Sequence, residues 1–193
     1  MNMKYLWIVS LVVCVACNKE YTPKPSAQLR LEYPEPDYER SEVDLPFTFD
    51  KNLLAEKTRI RPLQGASVSY GIDLEYKALK GTIYLTYKAI DNSDELLIKY
   101  LRDAQNFTQK HTQKADEITE TPYENSERRV YGMFYEVGGN AASQSQFYVT
   151  DSVNHFLTGS LYFYTRPNFD SILPAANYLQ TDIRRLMESI QWK

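Results

Sequence analysis

Apolar residues recur at every second position in several stretches of this chain. Val68, Tyr70, Ile72, Leu74 and Tyr76 alternate with small or polar residues, which predicts a strand over 66–76. Thr82 to Tyr87 places Ile83, Leu85 and Tyr87 on one face, with Tyr84 and Thr86 on the other. Both faces carry bulk, as in a central strand covered on both sides. Leu45 to Asp50 is a shorter piece built on Phe47 and Phe49. Further on, Val130 to Val137 sets Tyr131, Met133, Tyr135 and Val137 on one face, and Gln146 to Thr150 is strand-like. His155 to Tyr164 predicts a long strand, with Leu157, Leu161 and Phe163 opposite Phe156, Tyr162 and Tyr164. Ile118 lies in a short extended piece, whereas Pro122 to Arg128 reads as a polar turn. Gly138-Gly139-Asn140 and Asp151 to Asn154 are turn signals, the first because glycine relieves a positive φ.

Two stretches switch to helical spacing. Leu96, Leu97, Tyr100, Leu101, Ala104, Phe107 and Thr108 form one stripe, ending near His111. Asn92 with Glu95 makes a capping-box pair at its start, and the helix is predicted to run to about Lys114. Near the end of the chain, Tyr178, Leu179, Ile183, Leu186, Met187 and Ile190 form the second stripe. Asp170 or Ser171 is its cap, with Pro174 in the first turn. Strands, helix, a meander of strands and a helix imply an α+β fold. Its expected form is an antiparallel sheet of about five to seven strands covered by two main helices.

The amino terminus follows neither period. Tyr5 to Ala16 is apolar except for Ser10 and follows a short basic start. It is shorter than the roughly twenty residues of a membrane-spanning helix and reads as a signal-peptide core. The sequence Cys14-Val15-Ala16-Cys17-Asn18 that follows resembles a bacterial lipoprotein processing site. A small residue, Ala16, precedes Cys17, whereas the larger Val13 precedes Cys14. This reading makes 1–16 a signal peptide and Cys17 the lipidated first residue of the mature chain. A plain secretory signal or an uncut anchor is the alternative. Residues 17–46 carry Pro23, Pro25, Pro34, Pro36 and Pro46, which favour extended conformations and suit a tether. Leu29, Leu31 and Tyr33 alternate, so 29–33 would otherwise form an edge strand. A single α+β domain is expected over 47–193.

Composition narrows the chemistry. With 22 basic and 25 acidic side chains the net charge is -3, which gives no electrostatic footprint for nucleic acid. Only 2 His and 2 Cys are present, so no metal site or cofactor is expected. His111 and His155 read as surface or helix-end residues. No HExxH, GxSxG, phosphate-binding or dinucleotide motif occurs, and no enzyme activity is expected. The basic pairs Arg128-Arg129 and Arg184-Arg185 read as solvated faces. The small polar stretch from Gly138 to Gln146 offers a partner-binding surface through Gly138, Gly139, Asn140, Ser143, Gln144 and Gln146. The alternative is a hairpin loop with a long polar rim. The 16 tyrosines add to the interface reading.

Four pieces together resemble the gliding motility lipoprotein GldD family. They are Cys17 to Pro25, Pro46 to Phe49, Tyr131 to Ser143 and the closing Ile190-Gln191-Trp192-Lys193. The resemblance implies a non-enzymatic envelope protein, anchored by lipid on Cys17 and facing the periplasm. It would contact other proteins of the gliding or secretion apparatus. The competing expectation is a periplasmic module that binds a lipid, glycan or peptide. The arrangement is also similar to small sandwiches of the Mog1/PsbP type, an analogy of fold that says little about function.

Overall fold

The computed structural model describes residues 33–41, 44–111, 117–139, 141–164 and 169–193. Its centre is a seven-stranded sheet in which every neighbouring pair is antiparallel. Across the sheet the strands are β4 (Lys57–Pro62), β5 (Ser69–Tyr76), β6 (Gly81–Ala89), β10 (His155–Phe163), β9 (Ser145–Thr150), β8 (Val130–Gly138) and β7 (Glu117–Asn125). Two small sheets flank it. One pairs β1 (Tyr38–Arg40) with β3 (Asp50–Asn52), and the other pairs β2 (Phe47–Thr48) with β11 (Gln191–Trp192). The α+β fold expected from the alternating pattern is the one observed, with helices α1 (Asp94–His111) and α2 (Phe169–Glu188) on opposite faces.

The period-2 pattern explains the two faces. In β6, Ile83, Leu85 and Tyr87 are buried in the main core, together with Leu157 and Leu161 of β10. Leu179, Ile183, Leu186, Met187 and Ile190 come down on them from α2. Phe47 closes this core at one end. Its ring lies 5.9 Å from Phe49, 5.7 Å from Tyr87 and 6.2 Å from Trp192. On the other face, Tyr100 of α1 meets Phe156 in a smaller cluster with Ile90.

Several local expectations are corrected. The cap of α1 is Ser93, whose hydroxyl accepts the Leu96 N–H at 3.3 Å; Asn92 sits before it at φ 58°. Pro122 does not belong to a turn. It lies inside β7, an edge strand with one neighbour, where a residue without an N–H is tolerated. Pro174 stands beyond the first turn of α2, inside the helix. In β8 the main core takes Val130 and Phe134 rather than the Tyr131 face. Strand β4, polar and exposed along most of its length, was not predicted. Within the proline-marked stretch, β1 pairs with β3, and the Tyr33 ring lies 5.4 Å from Tyr178. Leu29 and Leu31 lie outside the described residues.

Two buried carboxylates hold the elements together, with opposite pH signs. Asp182 of α2 accepts hydrogen bonds from Asn52 of β3 at 3.0 Å and from the Tyr76 hydroxyl of β5. Burial raises its pKa, and the bonds from Tyr76, Asn52 and Tyr38 offset only part of that. Asp151 closes the β9–β10 hairpin. Its Oδ1 accepts the N–H groups of Val153, Asn154 and His155 at 3.0, 2.8 and 2.8 Å. Burial alone would raise its pKa, but those three N–H groups outweigh it and the pKa falls. Asp151 therefore contributes stability above the unfolded carboxyl pKa, and loses it as pH falls through the lower folded value. Asp151→Ala is expected to cost about 2 kcal/mol at neutral pH, much less at pH values where the carboxyl is protonated in both states. Urea denaturation at both pH values measures the difference, and an equal loss at both would refute the charge-dependent role.

Candidate functional site

In the segment from Gly138 to Gln146, expected as a partner-binding surface or else a hairpin loop with a polar rim, several of the described residues are buried. Gly139 takes φ 84°, the left-handed turn conformation that glycine permits. Gly138, just before it, ends β8. Asn140 lies outside the described residues. Ser143, Gln144 and Gln146 are all buried. Ser143 donates to the Ser145 carbonyl at 3.2 Å, and the Gln144 amide donates to the Ala141 carbonyl at 2.8 Å. Polar composition signalled a loop in the sequence. Pairing of β9 between β8 and β10 is what draws it in. Cys17 lies outside the described residues.

His155 is held by two aromatic neighbours. Its ring stacks on Trp192 at 5.0 Å, and its Nδ1 lies 2.8 Å from the Tyr87 hydroxyl. Burial lowers its pKa, with Arg129 adding to the effect and Asp151 and Asp91 opposing it. The His111 side chain is outside the described part of the structure.

The feature that sequence reading missed is a cleft of about 320 Å³ between the sheet and α1. Its floor is the second face of the central strands: Tyr84, Thr86 and Lys88 from β6, with Thr158, Ser160 and Tyr162 from β10. Tyr135 of β8 and Tyr148 of β9 form the far wall. Tyr100, Asp103, Phe107 and Thr108 of α1 form the roof. The volume falls at the lower end of small-ligand sites.

The cleft is aromatic but not greasy. Tyr84 and Tyr162 meet edge to face at 5.9 Å, and Tyr148 stacks on Phe156 at the same spacing. Burial, with Tyr148 and Glu120 adding to it, pushes the Tyr135 phenol up to about 12, and Tyr148 and Tyr162 are raised as well. These hydroxyls therefore keep their protons and can donate hydrogen bonds. The Lys88 ammonium sits 4.4 Å from the Tyr100 ring centre. Burial lowers its pKa, with Asp103 opposing and Lys99 adding to the effect. Gln146, only 2% exposed, reaches into the cleft from β9. Its Oε1 accepts the Thr108 hydroxyl at 3.1 Å, while its Nε2 has no partner among the described residues. Exchanging the amide oxygen and nitrogen leaves an orphan either way, because the single Thr108 hydroxyl satisfies one end only. The available sequence signal was the second face of β6 and β10, which carries Tyr84, Thr86 and Tyr162.

One sheet with a helix on each face, the main core on the α2 side and the aromatic cleft on the α1 side, defines a small α+β domain. The chain belongs to the gliding motility lipoprotein GldD family, whose model matches residues 18–192. No curated protein and no solved structure matches it. Among the described residues, no helix is long and apolar enough to cross a membrane.

Proposed function

We propose that this chain is a lipid-anchored protein of the bacterial envelope, facing the periplasm. It acts by protein contact in the assembly or support of the gliding and secretion machinery, without catalysing a reaction. The family match carries this reading, and it begins at Asn18, directly after the residue proposed to be lipidated. Cleavage before Cys17 would remove the apolar stretch and leave acyl chains as the membrane attachment. One chain alone gives marginal binding, whereas several hold stably. Residues 18–32 then separate the anchor from Tyr33, which already packs on the domain. A fully extended chain of that length reaches about 50 Å at most.

Cys17→Ala is expected to move the protein out of the membrane fraction and to abolish colony spreading. Retention in the membrane would overturn the lipid anchor. Normal spreading after deletion of the gene would overturn the motility role. Crosslinking in cells tests the contact mechanism, and recovery only as a free monomer under gentle extraction argues against it.

The cleft favours a second reading, a periplasmic ligand-binding module. A filled interface between sheet and helix would have left no room for one, and the α1 side has about 320 Å³ of space. Anchoring and ligand binding are compatible in one chain.

A further inference from the structure

We infer that the cleft under α1 binds an uncharged N-acetylated sugar ring, with its acetamido group on Gln146. The inference rests on the ligand-binding reading and specifies the chemistry of the ligand.

The orphaned amide is the starting point. A buried polar group without a partner costs about 1–3 kcal/mol, so Gln146 is a place where a ligand can gain. An amide of the ligand matches it in either orientation of the side chain, since it offers both a carbonyl oxygen and an N–H. Around that amide the surfaces are aromatic: Tyr148 belongs to β9 as Gln146 does, and Tyr135 is paired across from Gln146 in β8. A methyl beside the carbonyl finds apolar contact there.

The rest of the floor is set with hydroxyls. Thr86, Thr158 and Ser160 lie on the same face as the phenols of Tyr84 and Tyr162. A pyranose ring has this same mixture, with C–H faces that pack on aromatic rings and hydroxyls around the rim. The volume accommodates one or two such rings. Charge also fits, because the lining carries one cation, Lys88, and one carboxylate, Asp103, and calls for no net charge on the ligand.

Other occupants fit less well. An acyl chain would leave the Gln146 Nε2 buried against hydrocarbon without a partner and would offer nothing to the strand hydroxyls. An extended peptide gains most of its affinity by adding to a sheet edge. The cleft instead lies over β6, β10, β9 and β8, each of which is paired on both sides, so it offers no open sheet edge.

The test uses the full chain in lipid nanodiscs and four soluble probes: N,N′-diacetylchitobiose, cellobiose, palmitate and an alanine-rich peptide. Saturation-transfer NMR and calorimetry read binding. The expected result is binding of diacetylchitobiose, with transfer to its acetyl methyls and at least tenfold weaker binding of cellobiose. Gln146→Leu is expected to weaken diacetylchitobiose at least tenfold while leaving the melting temperature equal or higher, because it removes an unsatisfied buried amide. Tyr84→Ala, at a half-buried position on the cleft floor, is a second variant expected to weaken the same probe if Gln146→Leu does not fold. Binding of palmitate or peptide in place of the sugar would sink the inference while keeping a ligand-binding module. Binding of no probe, or sugar binding unchanged in both variants, would sink the assignment of this cleft, the former taking the module reading with it. If the disaccharide binds, pelleting of the protein with insoluble peptidoglycan assigns the sugar to the wall polymer. Retention in the supernatant assigns it to a soluble glycan, and either outcome keeps the site.

Discussion

Gly132→Ala is expected to prevent the domain from holding its native structure, with a loss above about 4 kcal/mol. Gly132 lies in β8 opposite Val149 of β9. A Cβ there would stand 1.9 Å from the Tyr148 carbonyl oxygen and 2.9 Å from the Val149 Cα. Both are backbone atoms, so no rotamer change relieves the overlap. Strand β9 cannot withdraw either, because β10 holds it from the other side through Phe156 to Ser160. The only escape is to break the β8–β9 ladder, which also forms one wall of the cleft. Urea denaturation of the wild type and variant measures the effect, and an unchanged midpoint and slope would refute it.

Phe47→Ala is the second large effect, expected at about 3–5 kcal/mol. The Phe47 side chain is fully buried and contacts Phe49, Tyr87 and Trp192. Strand β2 is only two residues long, and its pairing with β11 rests on Phe47 opposite Trp192 and Thr48 opposite Gln191. Removing the ring leaves a cavity beneath that pair and loosens both strands. Trp192 now stacks on His155 and donates its indole N–H to the Arg129 carbonyl at 3.0 Å. A red-shifted tryptophan emission should therefore accompany the lost stability. Loss of stability without any change in emission would mean that the cavity stays local to Phe49 and Tyr87. Phe47 does not line the cleft, so any effect of Phe47→Ala on spreading in cells would act through lower abundance of the folded protein.

The interior strands were legible because burial writes a period into them. Strands β5, β6 and β10 have at least one face that must be apolar, and β6 and β10 also showed a substantial second face. The edges had no such constraint. Strand β4 carries Lys57, Arg59 and Arg61 along an exposed border, and charge on an edge discourages pairing with other chains. Strand β7 is polar for the same reason, and Pro122 disguised it as a turn. The cap of α1 was misplaced by one residue. Asn92 and Ser93 are both good capping residues, and tertiary bonding decided between them, with the Asn92 N–H donating to the Val153 carbonyl at 2.7 Å.

The site was the least legible part. A run of glycine, alanine, serine and glutamine carries no signal that distinguishes a solvated loop from a buried connection. Gln146 was named there as a surface contact, whereas four strands and a helix enclose it. The tyrosines were visible as a count and as a second face on two strands. That α1 would leave a cleft beside its packed contact with Phe156 depends on how residues far apart in sequence, such as Tyr84, Phe107 and Tyr148, come together.

The pairing of β2 with β11 also bears on when this protein can fold. Phe47 waits for Trp192, and the Lys193 N–H donates to the Pro46 carbonyl at 2.9 Å. Phe47 and Trp192 lie far apart in the sequence, so the main core stays open at one end until both have been made. That end of the core therefore closes through a contact of long sequence separation, the kind that forms slowly.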